Sequence, residues 1–421
     1  MNTSAPRRIV VGVAGGIAAY KACHLVRSLT EGGDSVRVVP TPASLRFVGE
    51  ATWEALSGQP VSTTVFEAVD EVQHVHIGQQ ADAIVIAPAT ADLLARLAAG
   101  RADDLLSATV LVATCPIILA PAMHTEMWQN PATQANVATL RQRGLIVLEP
   151  AHGRLTGRDS GPGRLPEPEQ IAELTRSVLA GVSLRRDWEG RSLLVTAGGT
   201  QENLDPVRFL GNRSSGRQGW ALAEIAVQRG AAVTLVAADT EDLPVPPGAE
   251  LIRARSAREM HEAVSSRAAS QDAIIMAAAV ADLRPARVAE AKMKKGRDDD
   301  ALSTIELVEN PDILRGLVEM REAGRLRPGV RIAGFAAETG DSSHSAVELA
   351  ELKLRRKGCD VLMCNEVGVD KVFGQPTNGG VALIRRPEGE CPERRTIAQG
   401  SKQVVAAELL DIIAEQFRCQ M

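Results

Sequence analysis

Short apolar runs that alternate with helix-compatible segments set the strongest limit on how this 421-residue chain can fold. Each run is apolar throughout, without the alternation of a half-exposed strand, so we predict strands that are covered on both faces. Covered strands joined by helices form parallel sheets with right-handed crossovers. The pattern therefore predicts the α/β class, with two successive doubly wound, Rossmann-like parallel-sheet domains.

The strand and helix predictions repeat in two halves, which we assign to domains of residues 1–185 and 186–421. Strands of the first half are predicted at residues 8–13, 35–40, 83–87, 116–120 and 145–148. Strands of the second half are predicted at residues 192–196, 232–236, 251–254, 273–277, 331–335 and 361–364, with an added edge strand at 381–385. Residues 153–168 are rich in glycine and proline, and are predicted to be an irregular linker or a mobile flap.

Composition and charge exclude several classes of protein. The net charge of −5, without a basic stripe, argues against a nucleic-acid partner. The longest apolar run, residues 273–281, is too short to cross a bilayer, and the polar N-terminus shows no signal peptide, so we expect no membrane association. The six cysteines include no C-x-x-C and no zinc-ligand spacing, which favours a reducing, cytoplasmic location.

The segment 210–219 (LGNRSSGRQG) lies between a predicted strand and a predicted helix. Its glycine and serine residues offer backbone amides and a helix N-terminus to an anion. The segment also carries Asn212, Arg213 and Arg217, a combination that suits a phosphate ester together with a carboxylate. The chain has no G-x-x-x-x-G-K-[ST] sequence, which excludes a Walker A nucleotide loop.

Polar sequence follows three predicted strands of the first half, in residues 12–21, 87–92 and 120–128. The carboxyl ends of parallel strands meet at one sheet edge, so these segments predict a pocket. The glycines of residues 12–21 either form a structural tight turn or let the backbone approach a mononucleotide phosphate. His74 and His76 precede a predicted strand, and by themselves histidines in such a place are more often structural than catalytic.

Together these motifs resemble the bifunctional coenzyme A biosynthesis family, phosphopantothenoylcysteine decarboxylase/phosphopantothenate–cysteine ligase, along nearly the whole chain. The first half resembles the homo-oligomeric flavin-containing cysteine decarboxylases, which implies a flavodoxin-like fold and bound FMN. By that resemblance His74 is the active-site histidine. The residues implied to contact FMN are Gly15, Gly16, Ile17, Thr41, Ser44, Thr90, Ala91, Asp92, Leu93 and Ala122.

The decarboxylation that the resemblance implies requires FMN, because direct loss of the carboxylate of 4′-phosphopantothenoylcysteine would leave an unstabilised carbanion. The flavin accepts a hydride when the thiol is oxidised and returns it after carbon dioxide has left.

The chain departs from the family in two places. His124 stands where the P-x-M-N motif has an asparagine for the substrate carboxylate, and the flap at residues 155–165 lacks the cysteine that protonates the product. Thr156, Arg158, Asp159 or water are the alternatives for that proton.

The second half resembles ligases that activate the carboxylate of 4′-phosphopantothenate with CTP and then add cysteine. By that resemblance Arg208 and Asn212 act on the acyl-cytidylate intermediate. Lys292 is the lysine of a loop that closes over the triphosphate. Taken alone, residues 292–300 are more typical of a solvated loop, and Asp282 equally fits a helix cap. CTP and Mg²⁺ come only from the resemblance, which assigns no metal ligands. The implied CTP contacts are Met276, Ala277, Ala278, Asp282, Asn310, Pro311, Asp312, Ile313, Phe335, Lys353 and Lys357, besides Lys292.

The resemblance implies a cytoplasmic homo-oligomer, a dodecamer in which decarboxylase trimers are joined through ligase dimers. Its partners are the small molecules 4′-phosphopantothenate, cysteine and CTP. Three other functions stay open: a flavoprotein acting on a different cysteine-containing substrate, a non-catalytic flavoprotein regulator, and a pyridine-nucleotide dehydrogenase. The ligase-like half disfavours the first, His74 and the ligase motifs disfavour the second, and the missing G-x-G-x-x-G disfavours the third.

Overall fold

The computed structural model describes residues 5–66, 72–154, 160–294, 304–340, 343–366, 377–387 and 389–418. The chain forms two compact units, Met1–Arg185 and Arg186–Met421. Each unit has its own parallel sheet and its own buried apolar core. The predicted α/β class with two doubly wound sheets is confirmed.

The first unit is built on a five-stranded sheet in which all strands are parallel. Its strands are β1 (Arg8–Val13), β2 (Ser35–Pro40), β3 (Ala83–Ala89), β4 (Ile117–Pro121) and β5 (Ile146–Val147). The spatial order β2-β1-β3-β4-β5 is that of flavodoxin-like folds. The strand order reverses between β1 and β3, which puts a ligand crevice at the carboxyl ends of these two strands.

Helices pack against this sheet with their apolar faces. The helix that follows β1 buries Ala22, Leu25, Val26 and Leu29, a spacing of three and four residues that forms one helical stripe. The strand β3 is buried at every residue, as its unbroken apolar sequence predicts. The helices of the unit are Ala19–Glu31, Glu50–Ser57, Gln73–Gln80, Ala91–Ala98, Leu105–Val112, Thr125–Gln129, Pro131–Gln142 and Pro168–Leu179.

The Gly/Pro-rich stretch at residues 153–168 contains regular structure, so the prediction of an irregular segment was wrong there. The strands β6 (Ala151–Arg154) and β7 (Ser160–Arg164) form an antiparallel hairpin. The amide of Met123, just after β4, donates a hydrogen bond to the carbonyl of Gly163 at 2.9 Å. This contact fixes the hairpin beside the carboxyl end of β4. Residues 155–159, which include the alternative proton donors of the flap, lie outside the described residues.

The second unit is built on an eight-stranded mixed sheet with two short antiparallel strand pairs and isolated bridges beside it. Its strands are β8 (Ser192–Ala197), β9 (Gln201–Asn203), β10 (Phe209–Gly211), β11 (Ala232–Ala237), β12 (Glu250–Arg253), β13 (Ala273–Met276), β14 (Leu283–Pro285), β15 (Leu307–Glu309), β16 (Arg331–Glu338), β17 (Val361–Glu366), β18 (Thr377–Ile384) and β19 (Glu393–Ser401). The main sheet has the order β12-β11-β8-β13-β16-β17-β18-β19, whose first six strands are parallel and follow the classic dinucleotide-fold order.

The edge of this sheet differs from the prediction. The strand predicted at residues 381–385 was expected at the edge, but β18 lies inside, between β17 and β19. The edge strand is β19, whose residues ERRTIAQGS are mostly polar and exposed on one face. A half-exposed, charged sequence is typical of an edge strand and lacks the apolar run on which the predictions rested.

Five described helices pack against the second sheet and against one another. They are Arg217–Gln228, Ala257–Ala268, Ile313–Glu322, Ala346–Lys357 and Lys402–Arg418. The last of them packs along Arg217–Gln228, and both bury continuous apolar residues such as Leu222, Ile225, Leu409 and Ile413. Within the described part of the chain, no helix is both long enough and apolar enough to cross a membrane.

Candidate active sites

The first candidate site is a cavity of about 620 Å³ at the carboxyl ends of β1 to β4. Four separate segments of sequence reach it, because the ends of parallel strands converge at one sheet edge. Nine of the residues predicted to act on FMN or substrate line it: Gly15, Gly16, Ile17, Thr41, Thr90, Ala91, Asp92, Ala122 and His124.

The turn after β1 leaves backbone amides available to an anion. Gly15 lies so close to the segment after β2 that an added Cβ atom would be 2.6 Å from the Cβ of Ala43. The amides of Gly15, Gly16 and Ile17 donate no hydrogen bond to any residue that the structure describes. The helix that follows begins at Ala19 without a side-chain cap. Unpartnered amides at a helix N-terminus suit the phosphate of a mononucleotide.

A charged cluster forms another wall of this cavity. The guanidinium of Arg96 binds Asp92 at 3.1 Å and both Asp103 and Asp104 at 2.8 Å. Burial disfavours the Arg96 charge, but the bonds to Asp104 and Asp103 outweigh burial and raise its pKa. The same bond lowers the pKa of Asp103. Asp92 therefore lies in the cavity wall as part of an ion-pair cluster and is not a free carboxylate.

Two residues that were predicted to contact FMN are buried beneath the cavity wall. The hydroxyl of Ser44 is fully buried and donates to the carbonyl of Thr41 at 2.8 Å. The side chain of Leu93 is fully buried in the core, while its amide donates to the hydroxyl of Thr90 at 3.3 Å. Thr90 is thereby the N-cap of the helix Ala91–Ala98. Neither Ser44 nor Leu93 presents its side chain among the residues that line the cavity.

A second cavity of about 460 Å³ adjoins the first, and the two share Gly16, Ile17, Ala122, Met123 and His124. The β6–β7 hairpin supplies its outer wall through two arginines, Arg154 and Arg164. Lys21 also lines it and pairs with Glu167 at 3.0 Å. His124 stands at the junction of both cavities, which is where a residue that contacts both cofactor and substrate would have to lie.

The two histidines near β3 lie on one short helix, Gln73–Gln80. His76 is exposed, approaches Gln80 at 2.6 Å, and lines a small cavity with Arg8 and Ser35, the first residues of β1 and β2. This places His76 at the opposite sheet edge from the two large cavities. His74 is half-buried in the first turn of the helix and is not among the residues that line those cavities.

The candidate site of the second unit includes a cavity of about 160 Å³ beside β13 and β16. Ala277, Ala278 and Phe335, which were predicted to contact CTP, line it together with residues 214–219. That segment forms the turn and first residues of the helix Arg217–Gln228, with Gly216 at φ 76° as its N-cap. A Cβ atom on Gly219 would lie 2.5 Å from that of Ala197, so only a glycine lets the helix approach β8 this closely.

A buried carboxylate organises the loops around Arg208 and Lys292. The Asp205 side chain is fully buried and pairs with Arg208 at 2.8 Å. Burial alone would raise the pKa of Asp205, but hydrogen bonds from the amides of Val207, Arg208 and Met293 lower it to about 2. The guanidinium of Arg208 also donates to the carbonyl of Met293 at 2.5 Å. These contacts hold Lys292, the exposed neighbour of Met293, beside Arg208.

Backbone contacts bring the next group of predicted residues together. The Asn212 amide donates to the carbonyl of Val280 at 3.2 Å, just beyond the end of β13. The amide of Asn310 donates to the carbonyl of Asp282 at 2.8 Å, and its side chain donates to the carbonyl of Ala281 at 2.9 Å. Met276 is buried at the end of β13. These contacts place the segments 279–282 and 310–313 side by side.

Both predicted lysines of the helix Ala346–Lys357 already bind carboxylates. Lys353 pairs with Glu338 at 3.2 Å, and Lys357 pairs with Asp312. Burial would raise the pKa of Asp312, but Lys357 and the amide of Arg315 outweigh it and lower the pKa. Asp312 also caps the helix Ile313–Glu322. The structure therefore joins Lys357 to the segment 310–313, and a phosphate would have to replace a carboxylate at each lysine.

Comparison with known proteins accounts for both units. The family described as DNA/pantothenate metabolism flavoprotein C-terminal domain matches residues 188–417, and the family described as Flavoprotein matches residues 2–180. The coenzyme A biosynthesis bifunctional protein CoaBC of Mycolicibacterium smegmatis is 57% identical over 419 residues, which cover 99% of both chains. This chain belongs to the CoaBC family of bifunctional coenzyme A biosynthesis proteins. The family resemblance stated from the sequence motifs is thereby confirmed.

Two solved structures are also similar to parts of this CoaBC family member. The crystal structure of the C-terminal domain of a CoaBC protein is 32% identical, covers 56% of this chain and 99% of that chain, and has a TM-score of 0.44. A PPC decarboxylase mutant complexed with pantothenoylaminoethenethiol is 30% identical, covers 42% of this chain and 99% of that chain, and has a TM-score of 0.39.

Several polar residues at the candidate sites of this CoaBC family member were not predicted from the sequence. Arg96 lies in a helix where a single charged residue gives no signal, and its role emerges only from the three carboxylates around it. Asn365, Asn378 and Lys402 line the cavity of the second unit but come from β17, β18 and the start of the last described helix. They belong to no motif, and only the folded sheet brings them next to residues 214–219.

Proposed function

We propose that this chain makes 4′-phosphopantetheine in two steps, using the two activities of its family. The second unit joins cysteine to 4′-phosphopantothenate with CTP through an acyl-cytidylate, and the first unit decarboxylates the product with FMN. The observation that carries the proposal is the 57% identity to a CoaBC protein over 99% of both chains. The polar cavities at the carboxyl ends of both sheets support it, because α/β folds bind their ligands there.

The described residues of the first unit fit FMN. The unpartnered amides of Gly15, Gly16 and Ile17 would hold its phosphate, and Thr90 would contact the rest of the cofactor from the β3 side. When bound, FMN supplies reversible hydride uptake, which a side chain cannot supply. His124, at the junction of the two cavities, would donate a hydrogen bond to the substrate carboxylate.

The proton handling of the decarboxylase is assigned to His74. An imidazole can hold or release a proton near neutral pH, which the enethiolate formed after loss of carbon dioxide requires. Because His74 does not line either large cavity of its own unit, it would have to reach the substrate in the assembled oligomer. The proposed homo-oligomer is therefore part of the catalytic proposal.

In the second unit, the carboxylate of 4′-phosphopantothenate would attack the α-phosphorus of CTP and displace pyrophosphate. The amine of cysteine would then attack the acyl carbon, lose a proton and displace CMP. Arg208, held by the buried Asp205, would offset the negative charge of the mixed anhydride, and Asn212 would orient it beside the end of β13. Lys292, beside Arg208, would bind the departing pyrophosphate.

The proposed Mg²⁺ would arrive with the triphosphate. The described residues contain no group of three or more histidine, cysteine, aspartate or glutamate side chains arranged to hold a metal ion. Mg²⁺ often keeps several waters and binds substrate phosphates with only one or two carboxylates. We therefore assign the metal to the nucleotide and name no protein ligand for it. We place the enzyme in the cytoplasm, where these small-molecule substrates are handled.

One reaction tests the proposal. The purified full-length protein is incubated with 4′-phosphopantothenate, cysteine, CTP and Mg²⁺, and the products are identified by mass spectrometry. We expect 4′-phosphopantetheine and CMP, and a visible absorption spectrum of bound flavin. A flavin spectrum without product would favour the non-catalytic regulator. CMP and 4′-phosphopantothenoylcysteine without decarboxylation would leave only the ligase assignment in place.

A further inference from the structure

Lys402 is a buried lysine without a partner. It begins the helix Lys402–Arg418 and is only 8% exposed. Among the residues that the structure describes, none accepts a hydrogen bond from its ammonium or forms an ion pair with it. Burial, helped by the charge of Arg217, lowers the pKa of Lys402. A buried ammonium without a counter-charge costs folding free energy, so its retention calls for a ligand.

The cavity that Lys402 lines is electropositive. None of its lining residues is an aspartate or a glutamate. Two helices begin beside it, Arg217–Gln228 and Lys402–Arg418, and helix N-termini carry partial positive charge. Arg217 also lines the cavity but is already paired with Glu241 at 2.7 Å. Of these two cations, Lys402 is thus the one without an anionic partner among the described residues.

A buried polar network holds Lys402 in place. The amide of Asn365 donates to the side-chain carbonyl of Asn378 at 2.7 Å. The amide of Asn378 donates to the side-chain carbonyl of Gln218 at 2.9 Å, and the amide of Gln218 donates to the backbone carbonyl of Lys402 at 3.2 Å. This chain of bonds ties the start of the last helix to the start of Arg217–Gln228. Such fixed geometry is typical of a built binding site and not of a mobile surface lysine.

We propose that the Lys402 ammonium binds a phosphate group of a ligase substrate in this cavity. The inference rests on the proposed ligase function and adds a phosphate contact that no motif assigned. The phosphate has two possible sources, the triphosphate of CTP and the phosphate ester of 4′-phosphopantothenate. Ala277, Ala278 and Phe335 line the same cavity and were predicted to contact CTP, which favours the nucleotide.

Calorimetric titration of the full-length protein tests this contact. CTP with Mg²⁺ and 4′-phosphopantothenate are titrated separately into the wild type, Lys402→Met, Lys402→Arg and the control Arg258→Gln. Arg258 is exposed on another helix of the same unit, so its variant removes an equal charge away from the cavity. We expect Lys402→Met to weaken one ligand by about 10- to 100-fold and leave the other within twofold. We expect Lys402→Arg to restore part of the loss and the control to bind as the wild type does.

A thermal scan without ligand shows whether the variant is folded. Methionine matches the aliphatic stem of lysine and removes the buried charge, so the melting temperature of Lys402→Met should equal or exceed that of the wild type. If a folded Lys402→Met bound both ligands within twofold of the wild type, the inference alone would be overturned. If the wild type bound neither ligand, the proposed ligase function would fail with it.

Discussion

At the scale of single residues, the second unit depends on a carboxylate that touches no substrate in our proposal. Asp205 accepts hydrogen bonds from three amides and an arginine, and these bonds hold both Arg208 and the backbone next to Lys292. Because its pKa is lowered to about 2 in the folded state, from an unperturbed value of about 3.9, its ionised form stabilises the fold. That stabilisation is complete above about pH 4 and is lost as the pH falls through about 2.

We therefore expect Asp205→Asn to lower the stability of the second unit at neutral pH and to slow ligation, because Arg208 loses its counter-charge. The stability difference from the wild type should shrink as the pH falls from 5 to 2. Urea unfolding at several pH values measures it, with the exposed Asp242→Asn as the control. A stability difference that stays constant over this range would contradict the role given to the Asp205 charge.

Lys292 provides the second prediction at this scale. Its side chain is exposed, and the hydrogen bond between Arg208 and Met293 fixes the backbone next to it. A charge-assisted contact made in the transition state contributes on the order of 2–4 kcal/mol, so Lys292→Gln should slow ligation by about 30- to 1,000-fold. Single-turnover formation of CMP is the measurement, and decarboxylation of added 4′-phosphopantothenoylcysteine should stay unchanged. Normal CMP formation would leave Lys292 as part of a solvated loop.

His74 provides a third prediction, which separates the two activities. We expect His74→Ala to abolish decarboxylation while the protein keeps its flavin spectrum and its ligase rate. His76→Ala is the matched control, because His76 lies on the same helix but lines the cavity at the opposite sheet edge. Equal loss of decarboxylation in both variants would point to damage of the helix instead of loss of a proton-handling group.

At the scale of secondary-structure elements, the β6–β7 hairpin depends on one glycine. Gly163 has φ 142°, and an added Cβ atom would lie 2.4 Å from the carbonyl oxygen of Met123. We expect Gly163→Ala to displace the hairpin from the end of β4, weaken the binding of 4′-phosphopantothenoylcysteine to the decarboxylase by about tenfold or more, and spare the ligase. The KM for decarboxylation measures this. Gly49→Ala is the control, since nothing lies within 4 Å of its added Cβ.

Elements with a strong apolar pattern could be predicted from the sequence, and polar ones could not. The strands predicted at residues 8–13, 35–40 and 192–196 agree with the structure within one residue, because a buried parallel strand must be apolar throughout. The β6–β7 hairpin was missed because its glycines and prolines are typical of loops, and β19 because its sequence is charged. The site residues on polar elements, such as Lys402, were missed for the same reason.

At the scale of the whole molecule, the proposed assembly is a dodecamer of decarboxylase trimers joined by ligase dimers. Ile17 and Tyr20, which line the 460 Å³ cavity of the first unit, are 61% and 55% exposed, and large exposed apolar side chains at a site are typical of an interface. We expect light scattering to give the mass of twelve chains. Residues 1–183 alone should keep FMN and stay oligomeric, and residues 187–421 alone should form a dimer without flavin. A full-length monomer that retains FMN would contradict this assembly.

The residues that line the cavity of the second unit leave the ribosome at very different times. The wall formed by residues 214–219 is made long before Lys402, whereas the described lining of the first two cavities ends at Leu165. A nascent chain arrested between these points therefore carries every described residue of the proposed flavin pocket but lacks the Lys402 ammonium of the proposed phosphate site. In the proposed assembly, trimers of the first unit can thus form their flavin sites without the rest of the chain, while the proposed Lys402 contact to phosphate has to wait until the last described helix has emerged and docked.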